Sequence, residues 1–266
     1  MGGVFSERQI EQLSELTSRG WGIYDRTVKI TEEMQVDVLS LRAEGMPSSE
    51  IAKKVGLSVR SVQRIARATA YHEAGHAAVG ALFGKHPDWA TLKPDPETYI
   101  LGEVTQVDDD LGSKDGLEDE IINCYAGQCA ELRAGGSSRR AKLGAEIDDR
   151  VARDCILHLH GENLTEKKLL SIEAKMRAAA DKFLNEHWPL VERIAAELLD
   201  RTTLVLEELD HLRAIYQGEK SEEDLAKLRD ALAELDEQCN LVGKTAVYKG
   251  STKQFGSKII STWSCE

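Results

Sequence analysis

The stretch Tyr71-His72-Glu73-Ala74-Gly75-His76-Ala77-Ala78-Val79 decides how the rest of the chain is read. Side chains four residues apart share one face of an α-helix, so His72 and His76 can hold one ion between them. Neutral imidazole nitrogens suit zinc, and a catalytic zinc keeps three protein ligands so that water takes the fourth place. Glu73 lies beside the first histidine and can reach such a water as a general base. The small residues Ala74, Gly75, Ala77 and Ala78 suit a helix packed closely on a neighbour. The motif is short enough to arise by chance in any helix, so the surrounding segments decide its weight.

Immediately upstream, Thr31 can cap a helix running to about Glu44, with Gly45 at the position of a terminating glycine. Pro47-Ser48-Ser49 starts a short helix holding Ile51, Ala52 and Val55. Gly56 makes a tight turn, and Ser58 caps a third helix with Val59, Val62 and Ile65 inward. The stretch from Ala43 to Ile65 resembles the helix-turn-helix of bacterial regulators and recombinases. In that family the last helix enters the major groove. The resemblance makes Ser58, Arg60, Ser61, Gln63 and Arg64 the candidate DNA-facing residues, with arginine suited to guanine and glutamine to adenine. No glycine, proline or strong cap stands between Val59 and Tyr71. The third helix is therefore expected to run on into the histidine helix, leaving the reading face partly covered. Further upstream, Ser6 to Arg19 has a helical apolar spacing ended by Gly20, and Gly20-Trp21-Gly22 reads as a turn.

Downstream, the histidine helix is expected to end near Gly84. Ala90-Thr91-Leu92-Lys93 and Tyr99 to Thr105 read as short strands of a small sheet. One of them is the candidate edge for a substrate backbone. Asp108-Asp109-Asp110 reads as a solvated loop. Residues 117 to 134 form a helix by the spacing of Ile121, Ile122, Tyr125, Cys129 and Leu132, and Gly135-Gly136 ends it. Ser137 to Arg140 reads as a loop. Gly144-Ala145-Glu146-Ile147-Asp148-Asp149 opens a helix to about His160, stopped by Gly161. Candidates for a third ligand at this point are Glu131, Asp148 and Asp149. Asn163 to Glu186 is a long helix, Pro189 suits the first turn of the next one, and Leu204 to Leu212 closes the series. His158, His160, His187 and His211 read as surface or packing histidines.

Three segments together carry a second resemblance: Tyr71-His72-Glu73-Ala74-Gly75-His76, Ala126-Gly127-Gln128-Cys129-Ala130-Glu131 and Gly144-Ala145-Glu146-Ile147-Asp148. Their order and approximate spacing resemble the peptidase domain of FtsH-type AAA metalloproteases, over roughly residues 69 to 215. That resemblance implies a zincin-like helical peptidase domain with one zinc ion per chain. It implies His72, His76 and Asp148 as ligands and Glu73 as the catalytic base. Asp148 falls in the first turn of its helix, which favours negative charge. Asp149 points about 100° away on an ideal helix, and Glu131 becomes a supporting residue. The fold class expected is mainly α with a small β-sheet. Its segments are an N-terminal stretch (1–30), a helix-turn-helix-like module (31–68), the metallopeptidase domain (69–216), and a charged helix with a tail (217–266).

Composition bounds the function. The net charge of -12 argues against non-specific binding of nucleic acid or anionic membrane by the whole chain. A hydrophobic content of 41% over 266 residues supports a proper core. No apolar run is long enough to span a bilayer and no secretory core is present at the N-terminus, so a cytoplasmic protein without membrane contact is expected. The five cysteines have no paired metal spacing and read as reduced thiols. No AAA module or membrane anchor of the family is expected beside the peptidase motifs. Gly243-Lys244-Thr245 is no phosphate loop, because Gln238 stands where a glycine is needed. The leading expectation is an ATP-independent zinc metallopeptidase acting on peptides or unstructured protein segments, with self-association into a homo-oligomer left open. The alternative is a DNA-binding regulator whose metallopeptidase-like domain senses metal or cleaves a repressor. Ser221 to Glu237 reads as a charged helix with a leucine stripe (Leu225, Leu228, Leu232, Leu235), and residues 246 to 266 read as a hairpin or an unstructured tail.

Overall fold

The computed structural model describes residues 29–105 and 113–241, with the backbone of four short strands between 246 and 265. The readings of Ser6–Arg19, Gly20–Gly22, Asp108–Asp110 and Gly243–Thr245 lie outside the described residues.

Local chemistry sets the first three helices. The Thr31 hydroxyl accepts the Met34 N–H at 3.2 Å, and α1 follows over Glu32–Ala43 with acidic residues in its first turn. Gly45 takes a left-handed φ of 82°, and α2 spans Ser48–Val55. Gly56 turns the chain, and Ser58 caps α3, Val59–Leu82. Val38, Leu39, Ile51, Ala52, Val62, Ile65 and Ala66 close a core among these helices.

Helix α3 is unbroken from the last helix of the helix-turn-helix-like segment through the His-Glu-x-x-His motif. From Ala68 to Ala81 every residue is buried. Such a segment needs neighbours all round, and α4 (Lys114–Arg133) and α8 (Trp188–Arg201) pack along it. The contact with α4 is very close. A Cβ on Gly75 would stand 2.6 Å from the Ala126 carbonyl oxygen, so only glycine lets the two backbones meet there.

A three-stranded antiparallel sheet flanks this core in the order β2-β1-β3, with β1 Trp89–Thr91, β2 Glu103–Thr105 and β3 Thr203–Val205. Ala90 faces Val104 on one side and Leu204 on the other. The strand expected over Tyr99–Thr105 is shorter than its sequence suggests. Asp95 accepts from the Glu97 N–H and the Thr98 hydroxyl, and Tyr99 adopts φ 60°, so the chain turns before it extends. The third strand is an addition to the sequence reading. Thr202 ends α8 at φ 69°, the chain extends through Leu204, and α9 begins only at Leu206 (Leu206–Tyr216).

Ser137 to Arg140, expected as loop, instead caps and begins the short helix α5, Ser138–Gly144, with the Ser137 hydroxyl accepting the Arg140 N–H. Helix α6 runs Glu146–His160 and stops at Gly161, φ 88°. Helix α7 spans Glu166–Glu186, and Ile121, Tyr125, Ala152, Ile156 and Ala180 join α4, α6 and α7. Helix α10, Glu222–Leu241, packs back through Leu225 and Leu228. Arg229 fixes it to Glu197 and Glu208 at 2.6 and 2.9 Å. In the tail, β4 (Ala246–Tyr248) pairs with β7 (Trp263–Cys265) and β5 (Lys253–Phe255) with β6 (Lys258–Ile260). The architecture is mainly α with a small sheet. No helix among the described residues is long and apolar enough to cross a membrane.

Candidate metal centre

His72 and His76 project from α3 with their Nε2 atoms 3.2 Å apart. Asp148 reaches them from the first turn of α6, its Oδ2 lying 3.3 Å from His72 Nε2 and 3.5 Å from His76 Nε2. Three donors at these separations match one face of a tetrahedron with metal bonds of about 2.0–2.1 Å, whose edge is roughly 3.3–3.4 Å. Two imidazoles and a carboxylate are also the donor chemistry that zinc takes. The residues therefore fit a zinc ion, and among the described residues this trio is the group found with such spacing.

Each donor is held from behind. His76 Nδ1 lies 2.8 Å from the Asn123 carbonyl oxygen, which fixes the proton on Nδ1 and leaves Nε2 free as a ligand. His72 Nδ1 faces Glu131 Oε2 at 3.6 Å. Both histidines are buried, and burial works against their charged forms. The carboxylates of Asp148 and Glu131 outweigh it at His72 and push its pKa up to about 10. Asp148, although buried, is held far below the usual carboxylate range by the two histidines. The pocket strongly attracts positive charge.

Glu73 is 6% exposed. Burial pushes its carboxyl above the ordinary range, against the pull of His72 and His76. Gly102, just before β2, makes room for it, since a Cβ there would meet Glu73 Oε1 at 2.7 Å and the Thr91 carbonyl oxygen at 2.8 Å. The sheet edge therefore runs beside the candidate base. Ala90 and Thr91 are paired on both sides in β1, so of the two expected strands β2 is the one at an edge.

The other acidic candidates point elsewhere. Asp149 binds Arg177 Nη2 at 2.6 Å. Glu131 stands behind His72 and accepts from Arg140 at 3.3 Å. His187 pairs with the Tyr216 hydroxyl and His211 with the Glu207 carbonyl.

Arg60, Gln63 and Arg64 are exposed on the first half of α3, so the face expected to be partly covered is open at these positions. Ser61 is fully buried, its hydroxyl 3.1 Å from that of Ser58, which is itself half-buried. It does not share the exposed face with the other three.

Sequence reasoning missed Gly127. A Cβ there would stand 2.3 Å from His76 Nε2 and 2.7 Å from His72 Nε2. The signal was present, because a glycine inside a helix costs about 0.5–1 kcal/mol against alanine and implies close approach. Arg140 escapes the sequence reading because Ser137 to Arg140 reads as a loop.

No protein-family model matches the chain. It is similar to the ATP-dependent zinc metalloprotease FtsH of Acidobacterium capsulatum, with 27% identity over 191 residues, covering 57% of this chain. The match spans 29% of that protein's length. The likeness supports a zinc metalloprotease-like region at the level at which the site is built, a helical His-His-Asp cluster with a neighbouring glutamate.

Proposed function

We propose that this chain is a zinc metallopeptidase that hydrolyses peptides or unstructured protein segments without ATP. The observation that carries the reading is the triangle of His72, His76 and Asp148 beside a buried Glu73. A zinc ion held by these three residues would polarise the scissile carbonyl and acidify a water. Glu73 accepts the proton of the attacking water and delivers it to the leaving amine nitrogen. The β2 edge, with Gly102 against Glu73, holds an extended substrate backbone by strand addition.

Glu73→Gln tests this directly, with fluorogenic peptides and an unstructured protein as substrates, each with and without ATP. Zinc content stays at the wild-type level while hydrolysis falls about 10²–10⁴-fold, and ATP changes neither. Undiminished hydrolysis in the variant removes Glu73 from the role.

A second reading is supported by one observation. Arg60, Gln63, Arg64 and Arg67 are all exposed on the first half of α3, a local basic face on a chain of net charge -12. Under it the module binds DNA and the metal domain senses metal or cleaves a repressor.

A further inference from the structure

Arg140 has no part in the chemistry above, yet all three of its guanidinium nitrogens are engaged. Nε donates to Gln35 Oε1 at 2.8 Å, Nη2 to Thr69 Oγ1 at 2.8 Å and Nη1 to Glu131 Oε1 at 3.3 Å. These partners lie on three different helices, α1, α3 and α4. Glu131 in turn places its other oxygen 3.6 Å from His72 Nδ1. A chain of polar contacts therefore runs from the N-terminal module, through one arginine, to the back of a candidate ligand.

Each link is constrained. Glu131 is 2% exposed, and a buried carboxylate needs a charge partner. Of its two partners, His72 gives up its charge when it serves as a metal ligand, and Arg140 is the cation that stays. The Thr69 hydroxyl donates to the Ile65 carbonyl oxygen at 3.2 Å, so it accepts from Arg140. A Cβ on Gly136 would stand 2.6 Å from Glu131 Cγ, so the glycine leaves the carboxylate its place. Planar, forked guanidinium geometry can reach three partners at once, whereas a lysine ammonium on a flexible stem cannot hold them in one plane. The module also touches the other side of the site. Leu101, the residue before Gly102, packs against the module's core.

Resting on the metallopeptidase reading, we infer that Arg140 is a positioning residue. It holds Glu131 against His72 and ties the three-helix module to the metal centre through Gln35. The module is then part of the machinery that orients the ligands, and a displacement of α1 against α3 reaches the metal.

The test is zinc affinity by chelator competition, with the visible spectrum of the cobalt-substituted protein as a second readout. Wild type, Arg140→Lys, Arg140→Ala and Gln35→Met are compared in the full chain. Arg140→Ala weakens zinc binding about tenfold or more, the size of loss seen when an outer partner of a ligand is removed. Arg140→Lys recovers part of that loss. Gln35→Met, which touches only the module's arm, gives a smaller loss of roughly threefold in the same direction. Cobalt spectra shift in the same order. If Arg140→Ala does not fold, Arg140→Lys and Gln35→Met carry the test between them. Zinc affinities within twofold of wild type in every folded variant, with unchanged cobalt spectra, overturn the inference. A wild type that binds neither metal overturns the metallopeptidase reading, and this positioning role with it, before any variant is compared.

Discussion

The two halves of α3 share one backbone and differ in nearly everything else. From Val59 to Arg67 the helix is amphipathic, with Val62, Ile65 and Ala66 inward and Arg60, Gln63, Arg64 and Arg67 in solvent. From Ala68 to Ala81 it is buried throughout. In the first half an ordinary apolar stripe suffices to dock the helix, and its exposed face is free to vary. In the second, polar residues sit in the interior and each needs a partner there. Small residues allow the approach of α4, and the chemistry of His72, Glu73 and His76 is set by what that approach brings near. One rigid element thus joins a surface that can meet a partner to an interior that can hold a metal.

The largest effect is expected on the buried half. Gly127→Ala places a methyl group between the two histidine Nε2 atoms and α4. Zinc affinity falls at least about a hundredfold, read by chelator competition. Wild-type affinity in that variant would mean that α3 and α4 are not as close as they stand here.

On the exposed half the expected effects are confined to binding. Arg60→Ala and Arg64→Ala each weaken duplex DNA binding roughly tenfold and lower its salt dependence. Peptide hydrolysis and melting temperature stay at wild-type values. No salt-dependent DNA binding by the wild type removes the regulator reading and leaves the peptidase one standing.

The smallest effect sets a baseline away from both halves. His86 Nδ1 lies 3.1 Å from Asp210 Oδ1, and this partner raises the His86 pKa above its ordinary value despite partial burial. The folded pKa exceeds the unfolded one, so the stabilisation is complete below about pH 6.5. It fades as pH rises through the folded value. Asp210→Asn therefore lowers the melting temperature at pH 6 by about 1–2 °C, for a screened pair worth ~0.5 kcal/mol. At pH 9 the share due to His86 is gone, and what remains belongs to the Arg213 Nε–Asp210 Oδ1 pair at 3.9 Å. A deficit of the same size at both pH values would assign it to that pair or to packing instead.

The legible features were those written in local chemistry. Thr31, Ser58, Gly45, Gly56 and Gly161 mark helix ends whatever surrounds them, and the sequence places α1 to α3 and the end of α6 within a residue or two. His72 and His76 share a face by spacing alone. Asp148 came from the likeness of three motifs, because nothing local says which of three acidic residues turns towards α3. Arg177 on Asp149 and Arg140 on Glu131 make that choice in the fold. Strand β3 was hidden in an apolar run, since only pairing with β1 separates Leu204 from the helix that follows. The burial of Ser61 was hidden too, because its hydroxyl looks equally suited to a surface until Ser58 is seen beside it.

The most direct measurement is zinc per chain in protein purified without added metal, for wild type and Asp148→Ala in parallel. About one zinc is expected in the wild type and a large loss in the variant, with both proteins folded. A wild type that takes up no zinc even when it is supplied, or a variant that keeps its full complement, would contradict the three-residue centre on which the account rests.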